Sequence, residues 1–498
     1  MFYRSTRNAA EKVTAAEAIV KGISKDGGLF VPCEIPEVSL EEIEKLSKCD
    51  YKTRAKAIIS MFLTDFTEEE ISYCVNGAYD NSFASEDVAP VHFLNDTANI
   101  LELWHGPTCA FKDMALQILP YFMTVSIKKC NIDKEIVILV ATSGDTGKAA
   151  LEGFADVPGT RILVFFPENG VSKIQKLQML TQSGKNVGVA SVFGNFDDAQ
   201  TGVKRIFGDK EYNEVLEKNG FRLSSANSIN WGRLLPQIVY YFSAYCDMIK
   251  AGKIKAGEKI NICVPTGNFG NILAAWYGKK MGLPVNKFIC ASNSNNVLTD
   301  FIQTGVYNKN RDFKTTVSPS MDILISSNLE RLLSDITGDE VKVSDWMKQL
   351  NTVGSYEVDD EIKKVVTENF FGGFCDDKAT AETINSIWNE YKYLMDTHTA
   401  VGYNVYKQYA DATGDKTPTV IASTANPYKF NGAVLSAVEP DTDISSMDEF
   451  DVLYTLNKVS GLEIPASLDE LKNKEIRFDT KCEKEDMIKI VSGMLGIK

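Results

Sequence analysis

The sequence predicts an α/β protein with two doubly wound units, each a largely parallel sheet covered by helices on both faces. Short runs rich in β-branched residues alternate with longer amphipathic segments along most of the chain, which is the pattern of parallel strands joined by helical crossovers. The chain has 498 residues, and 44% of them are hydrophobic. Because one ordinary core does not accommodate that length, at least two domains are expected.

The first α/β unit is predicted between residues 96 and 250. Its strands are expected at 136–140, 161–166 and 186–192, and its helices at 148–154 and 231–249. The second unit is predicted between residues 251 and 438. Its strands are expected at 260–264, 288–291 and 419–423, with a helix at 272–281.

Both ends of the chain are predicted to lie outside these two units. Residues 1–95 indicate a mixed, mainly helical N-terminal domain, with helices at 39–48 and 67–78 and a Gly-rich turn at 26–32. Residues 439–498 are acidic and carry helix signals. They are predicted to form a C-terminal appendage.

The charge balance argues against two classes of partner. The formal net charge is −14, and an acidic chain without a long basic block repels nucleic-acid backbones and anionic lipids. No nucleic acid and no membrane are therefore expected as partners. The most hydrophobic stretches, such as 136–141, are far shorter than a bilayer requires, and the first residues lack the apolar core of a targeting segment. A cytoplasmic location is predicted.

Cysteine and histidine usage narrows the chemistry further. The ten cysteines are scattered without a CxxC pair and several lie in apolar runs, which predicts reduced and mostly buried thiols. Only His92, His105 and His398 occur, without an HExxH motif. No metal site is therefore predicted.

A glycine-rich segment, VPTGNFGN at 264–271, lies between a predicted strand and a predicted helix. Gly267 and Gly270 allow backbone amides to approach an anion, and the helix that begins near Asn271 adds the positive end of its dipole. The segment lacks both the GxGxxG of dinucleotide sites and the GK[ST] of a P-loop. It favours a small phosphate monoester, although a tight turn at a sheet edge explains the spacing equally well.

Lys112 lies in HGPTCAFKD at 105–113, just before an apolar helical pattern at 114–119. Most lysines are solvated surface charges. Here Phe111 and the apolar helix predict a partly desolvated amine near a helix start, which lowers its pKa and favours a neutral nucleophile. Asp113 is given little weight, because neighbouring helical residues do not face each other.

Lys112 and the glycine-rich segment together indicate a cofactor. An aldehyde that also bears a phosphate needs an amine to bond with and a separate cradle for its anion. Pyridoxal 5'-phosphate has both groups and is the predicted cofactor.

A second loop, TSGDTG at 142–147, also joins a predicted strand to a predicted helix. One interpretation is a helix cap, with Ser143 or Asp145 accepting from the first turn. The other is that the hydroxyls and amides of the loop bind an amino acid carboxylate over the cofactor. Both hold together, since caps and anion sites use the same free donors.

Seven segments, by their order and separation, resemble the threonine synthase family of the longer bacterial and fungal type over most of the chain. They are YRSTR (3–7), DGGLFVP (26–32), HGPTCAFKD (105–113), TSGDTG (142–147), SSANSINWGR (224–233), PTGNFGN (265–271) and STANPYKF (423–430). The resemblance implies the fold-type II pyridoxal phosphate architecture, which tryptophan synthase β and the serine/threonine dehydratases also use. The cofactor then lies between two α/β domains.

The resemblance implies roles for individual residues. Lys112 is the lysine that bonds to the cofactor aldehyde and later moves protons at the substrate carbons, and Phe111 lies beside it. The cofactor phosphate is expected on Gly267, Asn268, Phe269, Gly270 and Asn271. Thr424 matches the hydroxyl partner of the pyridine nitrogen, with a helix N-cap as the alternative.

The family's substrate is O-phospho-L-homoserine, and its products are L-threonine and inorganic phosphate. The substrate carboxylate is expected on Thr142, Ser143, Gly144, Asp145 and Thr146. The candidates for the substrate phosphate are Ser172, Lys173, Asn227, Ser228, Asn230 and Arg233. An arginine at a helix start offers bidentate recognition of an anion, although a helix surface charge is the alternative for Arg233.

Two residues depart from the family pattern, since Cys109 replaces a larger aliphatic residue and Asn426 replaces a frequent histidine. Neither has an assigned chemical role, so they bear on fine substrate preference. Two other functions stay open: a serine/threonine dehydratase, and a non-catalytic protein that binds pyridoxal phosphate or another phosphorylated ligand. A dehydratase needs neither the N-terminal segments nor a second phosphate site. A monomer or a homodimer is expected.

Overall fold

Two largely parallel sheets carry the fold in a computed structural model, which describes residues 1–80, 82–142, 144–169 and 171–497. The predicted α/β class, with additions at both ends, is confirmed. The strands are β1 (Tyr3–Ser5), β2 (Asn8–Val13), β3 (Phe30–Pro32), β4 (Val91–Phe93), β5 (Ala98–Glu102), β6 (Glu135–Ala141), β7 (Thr160–Pro167), β8 (Val187–Val192), β9 (Phe221–Ser224), β10 (Ile260–Pro265), β11 (Val285–Ser292), β12 (Val306–Asn308), β13 (Ser355–Glu357), β14 (Phe370–Phe374), β15 (Thr419–Ser423) and β16 (Lys481–Cys482).

Helices cover these sheets and form most of the two chain ends. They are α1 (Ala15–Lys21), α2 (Leu40–Leu46), α3 (Tyr51–Phe62), α4 (Glu68–Tyr79), α5 (Asp113–Leu116), α6 (Leu119–Lys129), α7 (Asp145–Phe154), α8 (Lys173–Leu180), α9 (Phe196–Gly208), α10 (Lys210–Lys218), α11 (Trp231–Lys250), α12 (Gly270–Lys280), α13 (Val297–Thr304), α14 (Leu329–Thr337), α15 (Glu340–Thr352), α16 (Asp360–Asn369), α17 (Asp377–Tyr391), α18 (Thr397–Thr413), α19 (Asn431–Val438), α20 (Glu449–Ser460), α21 (Ala466–Asp469) and α22 (Met487–Leu495). Short 3-10 helices lie at Pro319–Met321, Pro427–Phe430, Glu470–Asn473 and Lys484–Asp486.

The first sheet has five parallel strands in the order β16-β8-β7-β6-β9. The sequence of β6 is EIVILVA, and every residue after Glu135 in it is buried. A continuous apolar run, rather than an alternating one, is typical of a parallel strand covered on both faces. Thr142 follows this strand, and α7 begins at Asp145.

The second sheet has six strands in the order β14-β11-β10-β15-β5-β4, and only the edge pair β4–β5 is antiparallel. Three adjacent parallel strands, β10, β15 and β5, lead respectively to the glycine-rich segment, to Thr424 and to the segment that carries Lys112. Because parallel strands end at the same edge of a sheet, these three segments converge there.

Three features of the ends of the chain differ from the prediction. Residues 98–102 pair with β15 and belong to the second sheet, although the predicted first unit begins at residue 96. The N-terminal region adds an antiparallel sheet, β2-β1-β3, whose short strands give too little alternation to be predicted. Residues 481–482 extend the first sheet beside β8, so the last part of the C-terminal segment joins that unit, whereas α20 packs against α19.

The burial of the cysteines and the length and apolar character of the helices both bear on the sequence predictions. Seven of the ten cysteines are buried, which confirms that the thiols are mostly buried. Across the described ranges, no helix combines the length and apolar character needed to cross a bilayer.

The twenty-residue helix α11 links the parts of the molecule that surround the sheet edge. It packs against α3 of the N-terminal region, against α5 after Lys112 and against α12 after the glycine-rich segment. Nearly all of its residues are buried. A single rigid element therefore sets the spacing of these segments.

The start of α14 joins the N-terminal sheet to the same region. Glu330, which is buried, accepts from the Thr6 hydroxyl and from Arg7 at 2.8 Å through two guanidinium nitrogens. Arg331 donates to the carbonyl oxygens of Phe30 and Ile229. This explains structurally why the YRSTR and DGGLFVP segments accompany the two α/β units.

We expect Glu330→Gln to lower the free energy of unfolding by about 2 kcal/mol, because a hydrogen-bonded charge is removed from a buried contact. Urea denaturation monitored by circular dichroism measures this. The matched control is Glu368→Gln, since among the described residues the Glu368 carboxylate makes only an exposed pair with Lys364 at 3.9 Å. Its cost should stay below about 0.5 kcal/mol. Equal costs for the two variants would contradict the structural role of Glu330.

Candidate active site

Lys112 is the residue just before α5, in the segment that follows β5. It is only 8% exposed. Its Nζ atom lies 3.4 Å from Ser320 Oγ, 3.6 Å from Asp145 Oδ2 and 4.8 Å from the centroid of the Phe111 ring. The predicted desolvated amine at a helix start is confirmed.

The environment of Lys112 favours the neutral amine. Burial removes the water that stabilises an ammonium and lowers the pKa of Lys112 to about 8. The Asp145 carboxylate opposes this shift, whereas the Arg233 and Lys429 cations add to it. The unprotonated fraction of the amine close to neutral pH is therefore much larger than in a solvated lysine.

Asp145, the first residue of α7, contacts two lysines rather than one. Its Oδ1 accepts from Lys429 Nζ at 2.7 Å and from Gln175 Nε2 at 2.9 Å, and its Oδ2 faces Lys112 and Ser320. Burial opposes ionisation of this carboxyl, but the Lys429 and Lys112 cations hold its pKa well below the usual range. Asp145 is therefore a carboxylate at neutral pH.

These contacts correct the predicted role of Asp145 as a helix cap, whereas its place in a carboxylate site stays a prediction. The first turn of α7 is capped by Thr142, whose Oγ1 accepts from the Gly144 and Gly147 amides at 3.0 and 2.9 Å. Asp145 faces cations instead, and an ionised carboxylate repels a substrate carboxylate. Ser143 lies outside the described residues. Thr146 is half-buried, and within the described chain its hydroxyl has no partner.

The glycine-rich segment leaves several hydrogen-bond donors without acceptors. Phe269 has a φ of 61°, which turns the chain sharply into α12. The amides from Gly267 to Asn271 donate to no acceptor in the part of the chain that the structure describes. At Gly267 a Cβ atom would lie 2.7 Å from the Ser320 carbonyl oxygen, so only glycine fits there. The segment has the free donors that an anion requires.

Asn271 adds a side-chain donor to this set. Its Oδ1 accepts from the hydroxyls of Tyr240 and Tyr241 on α11. Its Nδ2 is buried and has no partner among the described residues. Because a buried donor without an acceptor is costly, this nitrogen marks a place for a bound anion.

Thr424 lies beside Lys112 because β15 and β5 are neighbours. The Phe111 amide donates to the Thr424 carbonyl oxygen at 2.8 Å. Thr424 is a buried residue, and its hydroxyl has no partner in the described ranges. Its predicted alternative role as an N-cap belongs to Asn426, whose Oδ1 accepts from the Tyr428 amide at 3.0 Å.

The two residues that depart from the family pattern are direct neighbours. The Asn426 amide donates to the Cys109 carbonyl oxygen at 3.0 Å. Cys109 has a φ of 60°, and burial raises the pKa of its thiol to about 11. It is therefore a neutral thiol at physiological pH.

The residues predicted to hold a substrate phosphate divide into two groups. Arg233 is 4% exposed and donates to the Ala226 carbonyl oxygen at 2.9 Å. It has no carboxylate partner among the described residues, and burial lowers its pKa to about 10. Asn227 and Ser228 are half-buried with side chains that make no hydrogen bond in the described chain. These three side chains are available to an anion.

The other three predicted residues have structural contacts. Asn230 caps α11 through the Gly232 amide and also donates to the carbonyl oxygens of Ile19 and Ser225 at 2.9 Å. Ser172 caps α8. Lys173 is exposed and pairs with Asp448. Arg233 is therefore better placed than Lys173 to bind a buried anion.

Sequence reasoning missed Lys429, Gln175 and Ser320, which all contact Asp145. Lys429 lies within the STANPYKF segment, but nothing in the sequence around it indicates a role for this lysine. Ser320 lies in a segment without any motif. Its amide donates to His398 Nε2 at 3.2 Å, and only the folded chain brings it to Lys112.

Three family models match consecutive parts of the chain. They are "Threonine synthase N terminus" over residues 2–79, "Pyridoxal-phosphate dependent enzyme" over 100–348 and "Threonine synthase, C-terminal" over 399–490. Human threonine synthase-like 1 is 41% identical over 482 residues; the match covers 93% of this chain, which spans 64% of the length of that protein.

Two further relatives match over nearly their whole length. Threonine synthase from Saccharomyces cerevisiae is 37% identical over 491 residues, with 93% of each chain covered. The crystal structure of PLP-bound threonine synthase from Brucella melitensis has a TM-score of 0.87 at 35% identity, and the match covers 99% of this chain and 98% of that one.

We expect Asn271→Asp to weaken the binding of pyridoxal phosphate at least about tenfold. The aspartate keeps an acceptor for Tyr240 and Tyr241, but it replaces the free nitrogen by a charge that repels phosphate. Absorbance titration of the cofactor-free protein measures the affinity. Pyridoxal, which lacks the phosphate, should bind the original protein and the variant about equally. Unchanged affinity for pyridoxal phosphate would exclude Asn271 from the phosphate contact.

Proposed function

Because the chain belongs to the threonine synthase family of pyridoxal-phosphate dependent enzymes, we propose that it converts O-phospho-L-homoserine and water to L-threonine and inorganic phosphate. One observation carries this proposal. The buried Lys112 amine, the free donors of 267–271 and the buried guanidinium of Arg233 surround one sheet edge. A cofactor amine and two separate anion sites are what this reaction requires.

The residues present fit pyridoxal phosphate. The free amides from Gly267 to Asn271 and the unpartnered Asn271 Nδ2 suit its phosphate, and the Lys112 amine suits its aldehyde. The Thr424 hydroxyl suits its ring nitrogen. A hydroxyl donates to a neutral nitrogen, whereas a carboxylate would keep it protonated. When bound, the cofactor supplies a moderate electron sink for the substrate carbons.

The substrate phosphate is assigned to Arg233, Asn227 and Ser228. Arg233 has lost its water through burial and gains no carboxylate in return, so a dianion restores its charge balance. Ser228 lies next to the cofactor cradle, with its Cβ 3.8 Å from the position of a Cβ on Gly270. The two anion sites are therefore adjacent but use different donors.

The substrate carboxylate is assigned to the loop after β6. The Thr146 hydroxyl and the amides at the start of α7 are the donors, and the positive end of the helix dipole adds to them. The Asp145 side chain is not part of this contact because it is an anion. Its place in the loop is to hold Lys112 and Lys429.

Lys112 moves protons on the substrate. As a neutral amine it accepts a proton from Cα. Because Cβ is the adjacent carbon, the same amine also removes a proton from Cβ. The Cγ–O bond then breaks and releases the phosphate, and the proton taken from Cβ is returned to Cγ. Water adds its hydroxyl to Cβ and gives up a proton, after which Cα regains its own. The departing phosphate is a weak base close to Cβ, and we assign to it the activation of the attacking water.

The proposed reaction is tested by measuring phosphate release from O-phospho-L-homoserine with the purified holoenzyme, together with L-threonine formation in equal amount. Lys112→Met should abolish both, because Lys112 is the amine assigned to the cofactor aldehyde. Formation of a keto acid from L-threonine without phosphate release would instead identify a dehydratase. Cofactor binding without turnover of either substrate would identify a binding protein.

We expect Arg233→Met to raise the KM for O-phospho-L-homoserine about tenfold to hundredfold, since a charged hydrogen-bond donor contributes about 1.5–3 kcal/mol. Binding of pyridoxal phosphate should stay unchanged. The control is Arg222→Met, because Arg222 is exposed and, within the described ranges, its guanidinium pairs only with Glu217 at 2.8 Å. An unchanged KM in the Arg233 variant would remove this residue from the substrate site.

A further inference from the structure

The carboxylate of Asp145 lies between two buried lysines, Lys112 and Lys429. Lys429 is fully buried and donates to Asp145 Oδ1 at 2.7 Å and to the Thr108 carbonyl oxygen at 2.8 Å. Lys112 lies 3.6 Å from Asp145 Oδ2. Neither the proposed reaction nor the comparisons use Lys429.

A carboxylate alone at this distance would oppose the function of Lys112. An anion next to a buried amine stabilises the ammonium, and an ammonium is neither a nucleophile nor a base. Asp145 nevertheless orients the Lys112 side chain through Oδ2. A second cation on the same carboxylate resolves the conflict, because it cancels most of the anion's attraction for a proton on Lys112.

We propose that Lys429 is a positioning residue, which balances the charge of Asp145 so that Asp145 can orient the Lys112 amine without holding it in the protonated form. The proposal rests on the proposed function only in taking Lys112 as the reacting amine. The contacts of Lys429 Nζ are with the Asp145 carboxylate and the Thr108 carbonyl oxygen. Lys429 acts through Asp145.

The charged groups that face Lys112 are few, and they come from three elements. Asp145 comes from α7, Arg233 from α11 and Lys429 from the 3-10 helix Pro427–Phe430. The Asp113 carboxylate is turned away and accepts from the Thr108 amide and hydroxyl at 2.8 and 2.6 Å. Among these groups only Lys429 forms an ion pair with Asp145 on the side opposite Lys112.

The location of Lys429 also suits this role. Asn426 caps the 3-10 helix that carries Lys429, and Thr424 lies two residues before that cap. One short segment after β15 therefore supplies both the hydroxyl assigned to the cofactor and the cation that balances Asp145. Because Lys429 has no exposed surface, water does not screen its charge.

The test measures the protonation of Lys112 without cofactor or substrate. Cofactor-free protein is treated with cyanate across a pH series, and the rate of carbamoylation at Lys112 is followed by peptide mass spectrometry. Lys429→Gln keeps a hydrogen-bond donor but removes the charge. We expect the pH midpoint of Lys112 carbamoylation in this variant to rise by about one to two units. The Lys429 charge, which lies across Asp145 from Lys112, disfavours the Lys112 ammonium, and at an effective dielectric constant of about 20 its loss has an effect of this size. Lys429→Arg should restore the original midpoint.

A second pair of variants measures the effect of the Lys429 charge on the Lys112 midpoint if Lys429→Gln alone does not fold. Asp145→Asn should have a lower midpoint than the double variant Asp145→Asn with Lys429→Gln, because Lys429 then acts on Lys112 without the intervening anion. Circular dichroism and size-exclusion chromatography establish that each protein is folded. Equal midpoints in either pair would overturn the proposal.

Two controls accompany this test. The first shows whether the loss of any buried lysine changes the Lys112 midpoint, and the second tests the proposed function independently. Lys148→Met removes another largely buried lysine, which pairs with Glu152 at 2.8 Å and does not contact Lys112. It should leave the Lys112 midpoint unchanged. Reductive trapping of pyridoxal phosphate on Lys112 of the original protein tests the proposed function separately, since the cyanate series does not depend on it.

Discussion

A buried lysine is stable either as a neutral amine or as an ammonium beside an anion, and the surroundings of Lys112 favour each form to some extent. Burial lowers its pKa, while Asp145 provides an anion that Lys429 shares. The contacts of Asp145 then extend to Gln175 on α8 and to Ser320. The two α/β units meet around a buried charge cluster whose members come from distant parts of the chain.

The second organising element is α11. Its first turn carries Arg233, and its middle carries Tyr240 and Tyr241, which fix the amide of Asn271 so that Nδ2 is left free. The Asn230 cap holds the start of the helix against α1 and the 225 carbonyl. One buried helix therefore supports both the cradle assigned to the cofactor phosphate and the guanidinium assigned to the substrate phosphate.

The N-terminal region contributes rigidity rather than reacting groups. Thr6 and Arg7 bind Glu330, and Arg331 of the same helix binds the carbonyl oxygens of Phe30 and Ile229. Asn328, just before that helix, donates to the carbonyl oxygen of Asn268. The start of α14 thus connects the first thirty residues to the glycine-rich segment. A site that depends on unpartnered donors needs such support, because those donors do not hold themselves in place.

The sequence by itself determined the alternation of strands and helices, the glycine-rich turn into α12 and the position of Lys112 before α5. These features depend on neighbours within a few residues, such as the buried run EIVILVA or the glycine at 267. Only the tertiary structure decided that β5 pairs with β15, that Thr142 rather than Asp145 caps α7, and that Lys429 balances Asp145. Strand order and buried ion pairs join residues far apart in the chain, so no local pattern specifies which partners meet.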